Sequence, residues 1–185
     1  MAEIGTHNGA SGGRLGWSLA LAALVPLCWV VFAGQNLTAQ GLHFDEVQHA
    51  CASFAVVGRS PEMFVAQTWG ALPVFGLPYN GTLRPLSFGL AMRLLERPFS
   101  PWFWRATSLV TAGLGLLLFG LLCRRTLGPA ALAAALALTA LDIAILLQAR
   151  HDWGPFSMLF LLRMVWLALC IRLGDRVIDR PLLAA

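Results

Sequence analysis

The sequence predicts an all-α fold: a polytopic membrane protein with about four transmembrane helices and two interfacial amphipathic helices in a long outer loop. Three observations carry that expectation. Hydrophobic residues fill 58% of the 185 positions and charged residues 12%, with a mean hydropathy of +0.71. A soluble domain of this size needs more charge to cover its surface. The apolar residues also gather into windows of about 20, the length that crosses a hydrocarbon core.

The windows come in order. The first, Leu15 to Gly34, carries no charge. Arg14 before it also suits a signal peptide, but the long apolar stretch and the central Pro26 favour an uncleaved span. The second, Trp102 to Cys123, has Arg105 near its start. The third, Pro129 to Ala149, is interrupted by Asp142, and the fourth, Pro155 to Ile171, by Arg163. Together they define a membrane domain over 15–172, between short tails at 1–14 and 173–185.

All 13 basic residues are arginines. They are scattered along the chain, mostly beside apolar runs, so the net charge of +4 points to topology rather than nucleic acid. Arg14, the Arg124-Arg125 turn, and Arg172, Arg176 and Arg180 fall on one side of a four-span chain. That side is expected to be cytoplasmic, with both termini there. The loops 35–101 and 150–154 then share the opposite face. The four cysteines show no metal-binding or disulfide spacing and read as small apolar residues.

The long loop carries two amphipathic patterns. Phe44, Val47, Cys51 and Phe54 share one helical stripe, opposite Asp45, Gln48, His49 and Ala52. Leu83, Leu86, Leu90 and Leu94 share another, with Arg84, Arg93, Glu96 and Arg97 as polar heads. Both are too short to span and suit helices lying in the interface, their arginines reaching for headgroups. Between them, Pro78-Tyr79-Asn80-Gly81 is a turn signal. Trp69, Trp102, Phe103 and Trp104 suit interfacial anchors.

Three groups invite chemistry. Asp45 and Glu46 are adjacent carboxylates just past the first span, able to act as a general base. Equally, Asp45 suits a helix cap with Gln48 three residues on. Arg150-His151-Asp152 occupies the second loop on the same face. Arg offers a planar fork for phosphate, and His and Asp can orient a hydroxyl or move a proton; a polar turn between helices is the plainer reading. Asp142 and Arg163 lie at similar depth in neighbouring antiparallel spans, which predicts a structural intramembrane ion pair. A metal site built from His43, Asp45, His49, His151 and Asp152 is a further reading. The six-residue spacing of His43 and His49 suits it poorly, and no metal or cofactor is expected.

Taken together, the arrangement resembles the GT-C glycosyltransferases. Phe44-Asp45-Glu46-Val47-Gln48-His49 resembles the Asp-Glu motif of protein O-mannosyltransferases and of bacterial aminoarabinose transferases. Leu77-Pro78-Tyr79-Asn80-Gly81-Thr82-Leu83 resembles the segment before their second interfacial helix, and Arg105 matches an Arg common at the start of the second span. The likeness runs from about residue 15 to 172, the N-terminal portion of such an enzyme. It implies transfer of a sugar from a polyprenyl-phosphate donor to an acceptor hydroxyl on the non-cytoplasmic face of a bacterial inner membrane. It implies Asp45 as general base beside Glu46, and Arg84, Arg105, Arg150, His151 and Asp152 as candidate substrate- and phosphate-binding residues. Family members have more spans, so further helices, from a second chain among other sources, are expected to complete the donor groove. The alternative is a small non-catalytic membrane protein acting as an assembly or transport subunit.

Overall fold

A computed structural model of the chain describes residues 9–58, 67–70, 72–77, 80–152 and 155–178. The far ends of both expected tails, and Pro78, Tyr79 and Trp153, lie outside the described residues. The chain is mostly helical. Helix α1 spans Gly9–Ala33 and α2 spans Phe44–Ala50, continued by a 3-10 turn at Cys51–Ala55. Three short strands follow, β1 (Gln67–Trp69), β2 (Leu72–Leu77) and β3 (Asn80–Gly81). Then come α3 (Leu83–Leu94), α4 (Pro101–Cys123), α5 (Pro129–Leu141), α6 (Ile143–His151) and α7 (Phe156–Ile178).

Helices α1, α4 and α7 are each long and apolar enough to cross a membrane. The third expected span differs. It breaks into α5 and α6, which meet at 56° and count as a fourth span only when taken together. The cause is Asp142, whose extended backbone ends α5 and whose Oδ1 accepts the N–H groups of Ala144 and Ile145. An aspartate in that role starts a new helix rather than continuing the old one.

Helix α4 is the hub, with α1 on one side and α7 on another. Glycines permit the closeness. A Cβ at Gly120 would sit 2.9 Å from Ala22 Cβ, and one at Gly113 would collide with Val30, both on α1. A Cβ at Gly115 would lie 3.0 Å from the Cα of Leu161 on α7. Small residues that let helix backbones approach replace the hydrophobic drive that lipid-facing helices lack. The main core runs through these contacts, with Leu109, Leu116 and Phe119 of α4 buried against Trp29, Leu136 and Phe160.

The long loop is not wholly helical as expected. Its middle forms an antiparallel sheet in the order β1-β2-β3, with Trp69 opposite Leu72 and Leu77 opposite Asn80. The Thr82 hydroxyl donates to the Val74 carbonyl at 3.0 Å and fastens this sheet to the start of α3. The two flanking helices appear where expected with their apolar stripes facing away from the protein, but Arg84, expected among the polar heads, is buried. On α2, Glu46, His49 and Ala50 are buried while Phe44 and Val47 are exposed. On α3, Arg84, Phe88 and Met92 are buried while Leu83, Leu90 and Leu94 are exposed. Leucine stripes facing away from the protein suit a hydrocarbon boundary rather than water. Among the expected aromatic anchors, Trp69 and Trp102 are exposed, but Trp104 is fully buried in a small aromatic core with Phe88.

Candidate functional site

The buried polar side chains gather mainly at the end of the bundle where α1 and α6 finish and α4 and α7 begin. Two arginines organise it. Arg105, in the first turns of α4, forms a bidentate pair with Glu46 of α2, Nε to Oε1 at 2.7 Å and Nη2 to Oε2 at 2.6 Å. Its other donors reach the carbonyls of Leu37, Gln40 and Gly41 in the segment between α1 and α2. A guanidinium has five N–H groups, so Arg105 is saturated and has no donor left for a phosphate.

Glu46 carries a second duty. Its Oε2 also accepts the backbone N–H of His43 at 2.9 Å, and His43 Nδ1 accepts the N–H of Asp45 at 3.3 Å. This is a capping box with His43 as the cap, not Asp45 with Gln48. The ordering follows from burial. Arg105 needs a carboxylate inside, and Glu46, one residue past Asp45, is on the inward face. Glu46 is therefore a structural group, and its expected place beside the catalytic base is corrected. Asp45 stays half-exposed, its Oδ2 3.6 Å from His43 Nδ1. Because that Nδ1 accepts a backbone hydrogen, it presents no proton to Asp45.

Arg84 makes the second lock. Its Nη2 lies 2.8 Å from Asp152 Oδ2, and both side chains are almost wholly buried. Nε donates to Ser157 Oγ at 3.0 Å, and Ser157 donates to Asp152 Oδ1 at 3.2 Å. Nη2 also reaches the Trp104 carbonyl at 2.9 Å and Thr107 Oγ1 at 3.1 Å, with the Trp104 ring 4.4 Å from the guanidinium carbon. Burial pushes the Asp152 carboxyl up while Arg84 pulls it down, and burial likewise lowers Arg84. Each charge needs the other. Asp152 also takes a left-handed backbone (φ 47°) at the end of α6, a conformation aspartate tolerates better than most residues. Arg84 and Asp152, expected to bind substrate, instead bolt α3 to the α4, α6 and α7 ends.

The remaining residues face a cavity of about 320 Å³ lined by Asn36, Leu37, Gln40, Leu147, Arg150 and His151, among others. Arg150 Nη1 donates to the Ala33 carbonyl at 2.7 Å, so the cavity is closed on one side by the end of α1. His49, buried on α2, is lowered by burial against the opposing pull of Asp45. So Arg150 and His151 come together in the cavity lining, while neither His43 nor Asp45 lines it.

Asp142 and Arg163 do not pair. Asp142 is exposed and spends Oδ1 on capping α6, while Arg163 is exposed on α7. The break at Asp142 turns the carboxylate to the new helix's amides, the nearest donors available. Among the described residues no group of three or more His, Cys, Asp or Glu side chains is placed to hold a metal ion, so the five-residue metal reading lacks its geometry. Sequence reasoning missed Ser157 and Thr107, and read Trp104 as an interfacial anchor rather than as a partner of Arg84. The first two are hydroxyls near the starts of apolar helices, a position that does hint at a buried polar partner. No family model, curated protein or solved structure matches the chain.

Proposed function

We propose that the chain is an integral membrane protein with α1, α4, the bent α5–α6 pair and α7 as four spans, both termini cytoplasmic, in a bacterial inner membrane. Its α2 end forms part of a GT-C-type site that moves a sugar from a polyprenyl-phosphate donor to an acceptor hydroxyl. The observation that carries this reading is Arg105, which fixes the helix bearing the half-exposed Asp45 through Glu46 and also holds the carbonyls of Leu37 and Gln40, two residues that line the cavity with Arg150 and His151.

The chemistry assigns one role to each free group. Asp45 takes the proton of the acceptor hydroxyl as its oxygen attacks the anomeric carbon. The bond from that carbon to the donor phosphate breaks, and the electron pair leaves on the phosphate. Arg150 spends one of its five N–H groups on Ala33 among the described residues, so its fork can stabilise the departing charge. A single displacement inverts the anomeric centre.

The test is transfer of labelled sugar from polyprenyl phosphate by membranes containing the full chain. Asp45→Asn is expected to lower transfer about 100-fold or more, the usual contribution of a general base, with unchanged thermal stability. Wild-type transfer by that variant refutes the role of Asp45. No transfer by the wild-type chain in its native membranes, where any chain supplying further helices is present, refutes the enzyme reading and leaves the non-catalytic assembly or transport subunit.

A further inference from the structure

Two opposite charges stand on the outside of apolar helices with no ion-pair partner among the described residues. Asp142 sits at the α5–α6 break, exposed between Leu141 and Ile143, which are 82% and 68% exposed. Its Oδ1 caps α6, and its Oδ2 has no partner among the described residues. Arg163 is exposed on α7 beside the exposed Leu162 and Trp166, and makes no ion pair or hydrogen bond among the described residues.

Their depths match. Asp142 lies nine residues before the end of α6 at His151, and Arg163 seven residues after the start of α7 at Phe156. At about 1.5 Å per residue both sit roughly 10–13 Å along their helices from the same end of the bundle. The half-thickness of a hydrocarbon core is about 15 Å, so both lie well inside it. Arginine can extend its stem toward headgroups, but aspartate has no such reach. A lipid-facing carboxylate at that depth is costly unless a cation covers it.

From this we propose that a second copy of the chain covers them, Asp142 of each protomer meeting the partner's Arg163 in a two-fold symmetric dimer. Helices α6 and α7 touch each other and both pack on α4, and each charge lies on the outward side of its helix. A two-fold interface is self-complementary: a contact from one residue to another is returned by symmetry, giving two ion pairs. One chain carries both halves of the contact, with equal depth and opposite sign, and that is why the occupant is a second copy rather than an unrelated helix. The bent span fits the same surface, since backbone left unpaired by a helix break is tolerated at membrane depth only where protein or water covers it.

The inference rests on membrane insertion but not on glycosyl transfer. The first step is alkaline carbonate extraction of membranes containing the full chain; release of the chain refutes the membrane reading, and with it the dimer. The second is the mass of the purified chain in nanodiscs or mild detergent. A dimer is expected for wild type. Arg163→Leu and Asp142→Asn, the latter keeping a capping oxygen, are each expected to weaken dimerisation by roughly tenfold or more. Two chains with the native cysteines replaced, one carrying Asp142→Cys and the other Arg163→Cys, are expected to cross-link to each other. A membrane-integrated chain that is monomeric, that dimerises equally well after both charge removals, or that gives no such cross-link overturns the proposal.

Discussion

Replacing Glu46 by Ala leaves Arg105 buried at the top of α4 without a counter-charge. In the native protein Glu46 accepts two hydrogen bonds from that guanidinium and one from the backbone of His43. Three carbonyls, of Leu37, Gln40 and Gly41, remain on Arg105 in the variant but cannot neutralise it. Removing one partner of a buried ion pair typically costs about 3–5 kcal/mol, because the surviving charge keeps its desolvation penalty. Loss of the capping-box bond adds a smaller share, about 1 kcal/mol. The assay is chemical unfolding in detergent combined with hydrogen exchange read by mass spectrometry. The expected result is a loss of about 4 kcal/mol and faster exchange in peptides covering 36–50, the segment that Arg105 holds. Arg105→Lys is expected to lose nearly as much, since an ammonium has three donors on a single centre and cannot reproduce a fork plus three carbonyl contacts. Unchanged stability and exchange in Glu46→Ala would sink the claim that this pair fixes α2 and thereby positions Asp45.

Further outcomes follow from the same contacts. Gly120→Leu forces a side chain into the backbone of Ala22, so α1 and α4 must separate, and a loss of about 1–3 kcal/mol is expected in detergent unfolding; Gly174→Ala within α7, whose Cβ would meet nothing within 4 Å, serves as the control that causes no loss. Asp142→Ala removes the α6 cap and is expected to cost about 0.5–2 kcal/mol, while Asp142→Asn retains most of it by the same measurement. The pH dependence follows from His49, whose folded value is lowered from 6.5 by burial. Below 6.5 the unfolded chain binds the proton more readily, so stability falls as pH drops from 6.5 through the depressed folded value. His49→Gln should flatten that acid limb in an unfolding series across pH, and an unchanged limb would show that another group carries it.

The positions of the spans were legible because length and apolarity are one-dimensional properties. Leu15 to Gly34 and Trp102 to Cys123 match α1 and α4 closely at their C-terminal ends. The two loop helices were legible from their period as well. Their orientation was not. Periodicity says that Phe44 and Val47 share a face, but not whether that face meets protein or lipid. Where the surroundings are as apolar as the core, the usual rule loses its sign, and α2 buries Glu46 and His49 while showing Phe44 outward. The sheet was hidden for a related reason: strands of two to six residues carry too little pattern to separate from a turn.

The candidate site divides the same way. Charged residues at the ends of apolar windows marked Arg105, Arg150 and Asp152 as worth notice, the adjacent carboxylates marked Glu46, and the second amphipathic pattern marked Arg84. Sequence could not assign partners across separations of 59 or 73 positions, those that join Arg105 to Glu46 and Arg84 to Ser157. It favoured the near neighbours Asp142 and Arg163 instead, and missed that the broken helix would claim Asp142 for its own first amides. Composition and hydropathy by themselves determined where the apolar helices run, since burying or solvating a chain segment depends on its own side chains. Only the tertiary structure decided which charges are locks and which are available, because that depends on which helix ends meet, and an ion pair is a property of two places in space rather than of either residue.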